Sequence, residues 1–205
     1  LSTIYLAIDS QVVDPFQAYQ MLTYTETALR NERTLNRKGR LVSCSNWLPK
    51  KYSTCGFFPA ENLHLAQVYF QLGLKKKGLE ILDAIIESYF IGKNPGMAPH
   101  ILSAHGVGDY GDQDFSDVSS LYLKTLVEGL FGVRFRLLEG YIEIAPNLPD
   151  TWTSAQINVR DIALSYHRDG RKENLTLYCD QKATKKIKLP LRSTYLEGVF
   201  LNGLP

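Results

Sequence analysis

The sequence predicts an α + β protein in two parts, helical over residues 1–132 and β-rich over 133–205. Two observations carry that division. Between Asp14 and Phe131 apolar residues recur at three- and four-residue steps, the repeat of a helix with one face turned to a core. From Gly132 onward the pattern changes to short runs of alternating apolar and polar residues broken by turns, the repeat of half-buried strands. Alternation with polar outer faces predicts an antiparallel sandwich for the second part. At 205 residues the chain is long enough to bury a real core, in one large domain or two small ones.

The elements follow in order. After an apolar stretch, Ile4 to Ile8, Asp14-Pro15 marks a helix start, because Asp caps free amides and Pro tolerates the first helical position. Phe16, Tyr19, Leu22 and Leu29 extend this helix to about Arg33. Asn36 to Pro49 reads as a turn region with a short extended piece at Leu41-Val42. A second helix starts at Pro59, with Glu61 in its first turn, a stripe of Leu65, Tyr69 and Leu72, and a stop at Gly73. Lys75 to Phe90 forms a third helix with Leu79, Leu82, Ile86 and Tyr89 on one face, and the very short connection makes the two an antiparallel hairpin. Gly92 to Phe115, rich in Gly, Pro and Asp, is loop. A fourth helix, capped by Ser116, runs from about Asp117 to Phe131 and is apolar on nearly every side, which predicts a buried helix. The strands are expected at Tyr141–Ile144, Gln156–Arg160, Ile162–His167, Asn174–Cys179, Lys185–Leu189 and Val199–Asn202, with Arg168-Asp169-Gly170 turning one hairpin.

Composition removes several classes of function. A net charge of +2 gives no general reason to expect nucleic acid or an anionic membrane as partner. No apolar run approaches the ~18–20 residues of a membrane span. Cys44, Cys55 and Cys179 form no CxxC pair; one disulfide is possible, with Cys44–Cys55 the shortest loop, and no spacing suggests zinc. Nucleotide loops and Ser-His-Asp order are absent, so neither organic cofactor nor metal is expected. With no signal-peptide pattern and no initiator Met, the chain is expected to begin downstream of a longer protein's start.

Two phrases carry a resemblance. Phe115-Ser116-Asp117-Val118 leads into Leu126-Val127-Glu128-Gly129-Leu130-Phe131-Gly132, and Gly140-Tyr141-Ile142-Glu143-Ile144-Ala145-Pro146-Asn147-Leu148-Pro149 is followed by Trp152. This resembles the junction between helices and strands in glycoside hydrolases of the α-L-rhamnosidase-like type. Asn46-Trp47-Leu48-Pro49 and Phe58 to Ala66 resemble earlier segments of the same group. The resemblance implies a partial (α/α)6 toroid followed by a C-terminal β-sandwich, with Trp152 plugging the seam, and a carbohydrate substrate. It also implies secretion or a periplasmic place. A closed toroid needs twelve helices, roughly 190 residues at ~11 per helix and ~5 per connection, and only 132 residues precede the strands. The expectation is therefore a C-terminal piece whose partner is a missing N-terminal part or a second copy.

Glycoside hydrolysis generally needs two carboxyl groups, one protonated and one ionised. The richest supply is His105 to Asp114, where glycines let backbone approach a substrate. There Asp109 and Asp112 are candidate catalytic bases, and Asp114, His105 and Tyr110 candidate sugar contacts. The same aspartates also suit turn and helix caps, and they lack the ordered spacing of a calcium loop. Glu61 is the third catalytic candidate, or else a stabilising anion in a helix's first turn. His64, one turn on, reads as a packed histidine. Trp47, in a loop, is a candidate stacking platform. Two alternatives stand beside a glycosidase: a non-catalytic carbohydrate-binding or scaffold module, and a toroidal lyase on acidic sugars.

Overall fold

The computed structural model describes residues 1–34, 38–47, 56–91, 95–98, 114–159, 161–189 and 195–204, the side chains of residues 90 and 91 excepted. Among these residues the chain forms five α-helices and eight strands: α1 (Ser2–Asp9), α2 (Pro15–Thr27), β1 (Asn31–Arg33), β2 (Arg40–Val42), α3 (Pro59–Gln71), α4 (Lys75–Ile91), α5 (Ser116–Lys124), β3 (Val133–Arg136), β4 (Tyr141–Ile144), β5 (Ser154–Val159), β6 (Ile162–Asp169), β7 (Lys172–Cys179) and β8 (Thr184–Ile187). A π-helical turn, Thr125–Leu130, continues α5.

The first helix lies in the stretch read only as apolar. Tyr5 and Ile8, three residues apart, bury its inner face. Helix α2 starts as expected: Asp14 Oδ1 accepts the Gln17 N–H at 2.8 Å and Gln17 Oε1 accepts the Asp14 N–H at 3.0 Å, a reciprocal cap. It ends six residues earlier than expected, at Thr27. The Asn31 amide donates to the carbonyls of Thr25 and Leu29 at 2.9 and 2.8 Å, so a side chain takes up the acceptors the next turn would have used. The released chain pairs Asn31–Arg33 with Arg40–Val42 as an antiparallel hairpin.

Helix α3 is the centre of the helical part. It touches α1, α4, α5 and the π-helical turn. Between Pro59 and Phe70 every residue is buried except Glu61 and His64, which are half-buried. Gly73 (φ +74°) closes it, with Leu74 N–H bonded back to the Tyr69 carbonyl at 2.8 Å, and α4 returns antiparallel. The helix expected to be buried all round, α5, is a flank instead: Leu123 is 62% exposed and Ser119 and Ser120 face solvent.

Neither the partial toroid nor the antiparallel sandwich is what the chain forms. A toroid alternates inner and outer helices around a ring; here short helices gather around one buried helix. Beside the β1–β2 pair the strands make two small sheets of three, and one is mixed, because β8 joins β4 in parallel at the edge of the β3–β4 pair. Only β5–β6–β7 is an antiparallel meander. The strand expected at Val199–Asn202 is reduced to one bridge, Leu201 with Leu204. Helices and sheets are packed continuously, since Phe131 and Leu175 lie against both hydrophobic cores.

At the junction Gly132 has φ +67°, and a Cβ there would lie 1.9 Å from the Ala145 carbonyl oxygen. The Asn147 amide donates to the Gly129 carbonyl at 2.8 Å, and its backbone N–H to the Leu130 carbonyl at 2.8 Å. The seam is plugged by Leu148, 2% exposed, and not by Trp152, which is 40% exposed.

Asn62 fixes α3 to the hairpin. Its Oδ1 accepts the Val42 N–H at 2.8 Å, and its Nδ2 donates to the Val42 carbonyl at 2.9 Å and the Phe58 carbonyl at 3.0 Å. Both Val42 and Asn62 are wholly buried. Asn62→Leu would strand two backbone groups without water, at ~1–3 kcal/mol each. Urea denaturation of this variant should show a loss of about 2–6 kcal/mol. A change below ~0.5 kcal/mol, the usual range for a surface position, would show that Asn62 does not carry this contact.

Candidate functional site

The half-buried Glu61 and His64 of α3 open onto a cavity of about 550 Å³ that they line with Tyr5, Phe58, Asp117 and Ser120, together with Ala60, Ser116 and Leu121. Three separate elements build it. Helix α3 presents Glu61 and His64 from one face, three residues apart. Helix α1 supplies Tyr5, whose ring lies 4.6 Å from that of His64, tilted by 30°. The first turns of α5 supply Ser116, Asp117 and Ser120 on the facing wall. Phe58, before α3, and Phe115, before α5, lie 6.0 Å apart, so aromatic rings join the two helix starts.

Glu61 is a buried carboxyl of the cavity with a raised pKa. Its Oε2 is buried and has no hydrogen-bond partner among the described residues. Burial raises its carboxyl above the ordinary value of 4.5, opposed by the N-terminal ammonium of Leu1 and a hydrogen bond from the Cys44 thiol. Burial, then the neighbouring Glu61 charge, pushes the Tyr5 phenol up to about 12 and the Cys44 thiol up to about 12. Burial lowers His64 below its ordinary 6.5, helped by the charge of Lys124 and opposed by Asp9 and Asp117. At neutral pH the cavity therefore holds a neutral imidazole and a neutral phenol. Asp117, on the facing wall, is solvent-exposed.

The residues singled out in the sequence are distributed unevenly. Glu61 and His64 meet in the cavity. Trp47 is 75% exposed and does not line it. Asp114 is exposed, in a left-handed turn (φ +68°) just ahead of α5, and also lies outside the lining. His105, Asp109, Tyr110 and Asp112 lie outside the described residues. The ends of the segment that carries them are fastened together: the Phe115 N–H donates to the Ala98 carbonyl at 2.9 Å, one residue before the cavity wall at Ser116. Cys44 is a buried free thiol, so it is not in the Cys44–Cys55 bridge that the sequence allowed; Cys55 lies outside the described residues. Tyr5, Asp117 and Ser120 are additions from the structure. Among the described residues no group of three or more His, Cys, Asp or Glu is placed to hold a metal ion, and no helix is long and apolar enough to cross a membrane.

No protein-family model matches the chain, and no curated protein matches it in sequence.

The raised Glu61 carboxyl has a consequence for stability. The folded state favours its protonated form, so its contribution is fully present below pH ~4.5, the ordinary value, and is lost as pH rises through the higher folded value. Gln in its place stays neutral throughout. Glu61→Gln should therefore melt above the wild type at pH 7–8, by about 2–4 °C for each ~1 kcal/mol in a chain of this size. The gap should close at pH 4. Melting curves across that range check it; a gap that does not change with pH would mean that Glu61 is not held as an acid by its surroundings.

Proposed function

We propose that this cavity cleaves a glycosidic bond, with Glu61 as the proton donor. The observation that carries the reading is a buried carboxyl, one oxygen unpartnered among the described residues, shifted toward its protonated form and facing a second carboxylate across a solvent-accessible cavity. A general acid must hold its proton near working pH, and burial is the ordinary means of arranging that. The second carboxyl of the pair is Asp117, exposed on the facing wall. Environment thus separates the two roles that sugar-bond cleavage asks of a carboxyl pair. Asp109 and Asp112, the bases that the sequence suggests, lie outside the described residues and stand as the other candidates for the second carboxyl.

The remaining lining suits a sugar. The Tyr5 and Phe58 rings offer apolar faces for the C–H side of a pyranose. His64 and the hydroxyls of Ser116 and Ser120 offer uncharged donors and acceptors for its hydroxyl groups. The resemblance of the Phe115–Gly132 and Gly140–Trp152 phrases to α-L-rhamnosidase-like glycosidases adds the same class of bond.

The leaving group provides the test. Glu61→Gln should lower turnover of alkyl glycosides by about 10²–10⁴-fold, the usual worth of a general acid. It should lower turnover of dinitrophenyl glycosides far less, because that leaving group departs without a proton. Asp117→Asn should lower both. Equal losses for the two substrate types in Glu61→Gln would remove it as the acid. Binding of sugars with no turnover of any glycoside would make the cavity a recognition site alone.

A further inference from the structure

The link between β3 and β4 is an apolar point. A 3-10 turn, Leu137–Glu139, joins the two strands. Gly140 closes it in the left-handed region (φ +80°), its N–H bonded to the Leu137 carbonyl at 3.1 Å. On this turn Leu138 is wholly exposed and Leu137 52% exposed, and Phe135, just before it on β3, is 43% exposed. Single apolar residues at a surface are ordinary. A fixed turn that holds two adjacent leucines in water forgoes the burial that each would gain elsewhere.

Cations surround this point, although the whole chain carries a net charge of only +2. Arg136 precedes the turn and stands opposite Tyr141, the first residue of β4. Tyr141 pairs in turn with Thr184 on β8, so alternation puts Lys186 on the same face. The Lys186 Nζ lies 3.5 Å from the centroid of the Tyr141 ring. Lys182, two residues ahead of Thr184, is exposed at the same end of the sheet. Against these three cations the turn carries one acid, Glu139. Arg134 and Lys188 do not add to them, because both are held by Glu143.

We propose that this hairpin end holds the chain to an anionic lipid surface, with Leu137 and Leu138 entering the acyl boundary and Arg136, Lys182 and Lys186 facing the headgroups. The inference goes beyond the sugar-cleaving reading and does not depend on it. Area decides against a protein partner. The exposed parts of Phe135, Leu137 and Leu138 amount to on the order of 300 Å², well short of the roughly 1,000 Å² that a specific protein interface buries. A bilayer asks for less, since burial of a few side chains adds to about a fivefold gain for each Lys or Arg near an anionic surface. Tyr141, an apolar ring with a polar tip, follows the leucines at the level of the headgroups.

Cosedimentation of the whole chain with vesicles tests this, comparing phosphatidylcholine alone with a two-to-one mixture of phosphatidylcholine and phosphatidylserine. The mixture should bind at least about 25-fold better, the combined effect of two or more cations, and added salt should weaken that binding. Leu137→Ser with Leu138→Ser should lower binding to the mixture about 100-fold, roughly tenfold for each leucine withdrawn from the acyl boundary. Lys182→Gln with Lys186→Gln should lower it about 25-fold, to near the level of phosphatidylcholine alone. All four side chains are exposed, so both variants keep the fold. Equal binding to the two kinds of vesicle, no binding to either, or binding that survives the loss of either pair would overturn the inference. None of these outcomes bears on the glycosidase reading.

Discussion

The amide of Asn62, bonded on both edges to the backbone of Val42, sets the rotation of α3, and the rest of the helical part is arranged around that rotation. A helix buried on almost every side has no solvent face to orient it, so something directional must do so. Here a side-chain amide pairs with a strand residue much as a neighbouring strand would. With Asn62 turned to β2, the residue before it and the residue two after it point the other way, into the gap left between α1 and α5. Glu61 and His64 therefore lie where α3 opens onto the cavity. Tyr69, two turns on, ties the same helix to α2: its hydroxyl lies 3.2 Å from Thr25 Oγ1 and donates to Glu26 Oε1 at 3.1 Å.

Local chemistry was legible in the sequence wherever one residue decides an outcome. Asp14 and Gln17 start α2, Gly73 ends α3, and the alternation from Ile162 to Cys179 forms a hairpin. The errors lie where the deciding partner is distant or the signal is symmetric. Asn31 ends α2 by a side chain that helical periodicity does not weigh. α5 carries apolar residues all round, but burial depends on neighbours, and those neighbours surround α3. The parallel pairing of β8 with β4 depends on a contact across some forty residues, which alternation cannot specify.

The site was legible in part for the same reason. Glu61 could be read as a stabilising anion or as a catalytic one, because a carboxylate in a first helical turn serves both. What separates the two is an unpartnered buried oxygen, and that follows only from packing. Asp117 reads as an ordinary acidic residue in the first turn of α5. Tyr5 lies in a stretch with no assigned element. The three come from helices far apart in the chain, so no spacing joins them. His64 was read as a packed histidine, and it is packed, against the Tyr5 ring; its place in the cavity comes from that contact.

The phrases that carry the resemblance to glycosidases do architectural work, and this separates them from the chemistry. Gly129 leaves room for the Phe70 ring, which would stand 2.7 Å from a Cβ there; Gly78, from α4, leaves the same room at 2.8 Å. Asn147 takes up the Gly129 and Leu130 carbonyls where the π-helical turn ends, and Gly132 lets the chain pass Ala145. Arg134 and Lys188 hold Glu143 from both sides at 2.7 Å, keeping its carboxyl below the ordinary range although burial alone would raise it. Phe70, packed beside Gly129 and Gly78, seats the far end of α3, while Asn62 holds the near end. A carboxyl that burial disfavours as an ion needs such a rigid support, because a mobile helix would turn it toward water and return it to its ordinary acidity. The contacts that fasten α3 are also what keep Glu61 in the surroundings that raise its carboxyl.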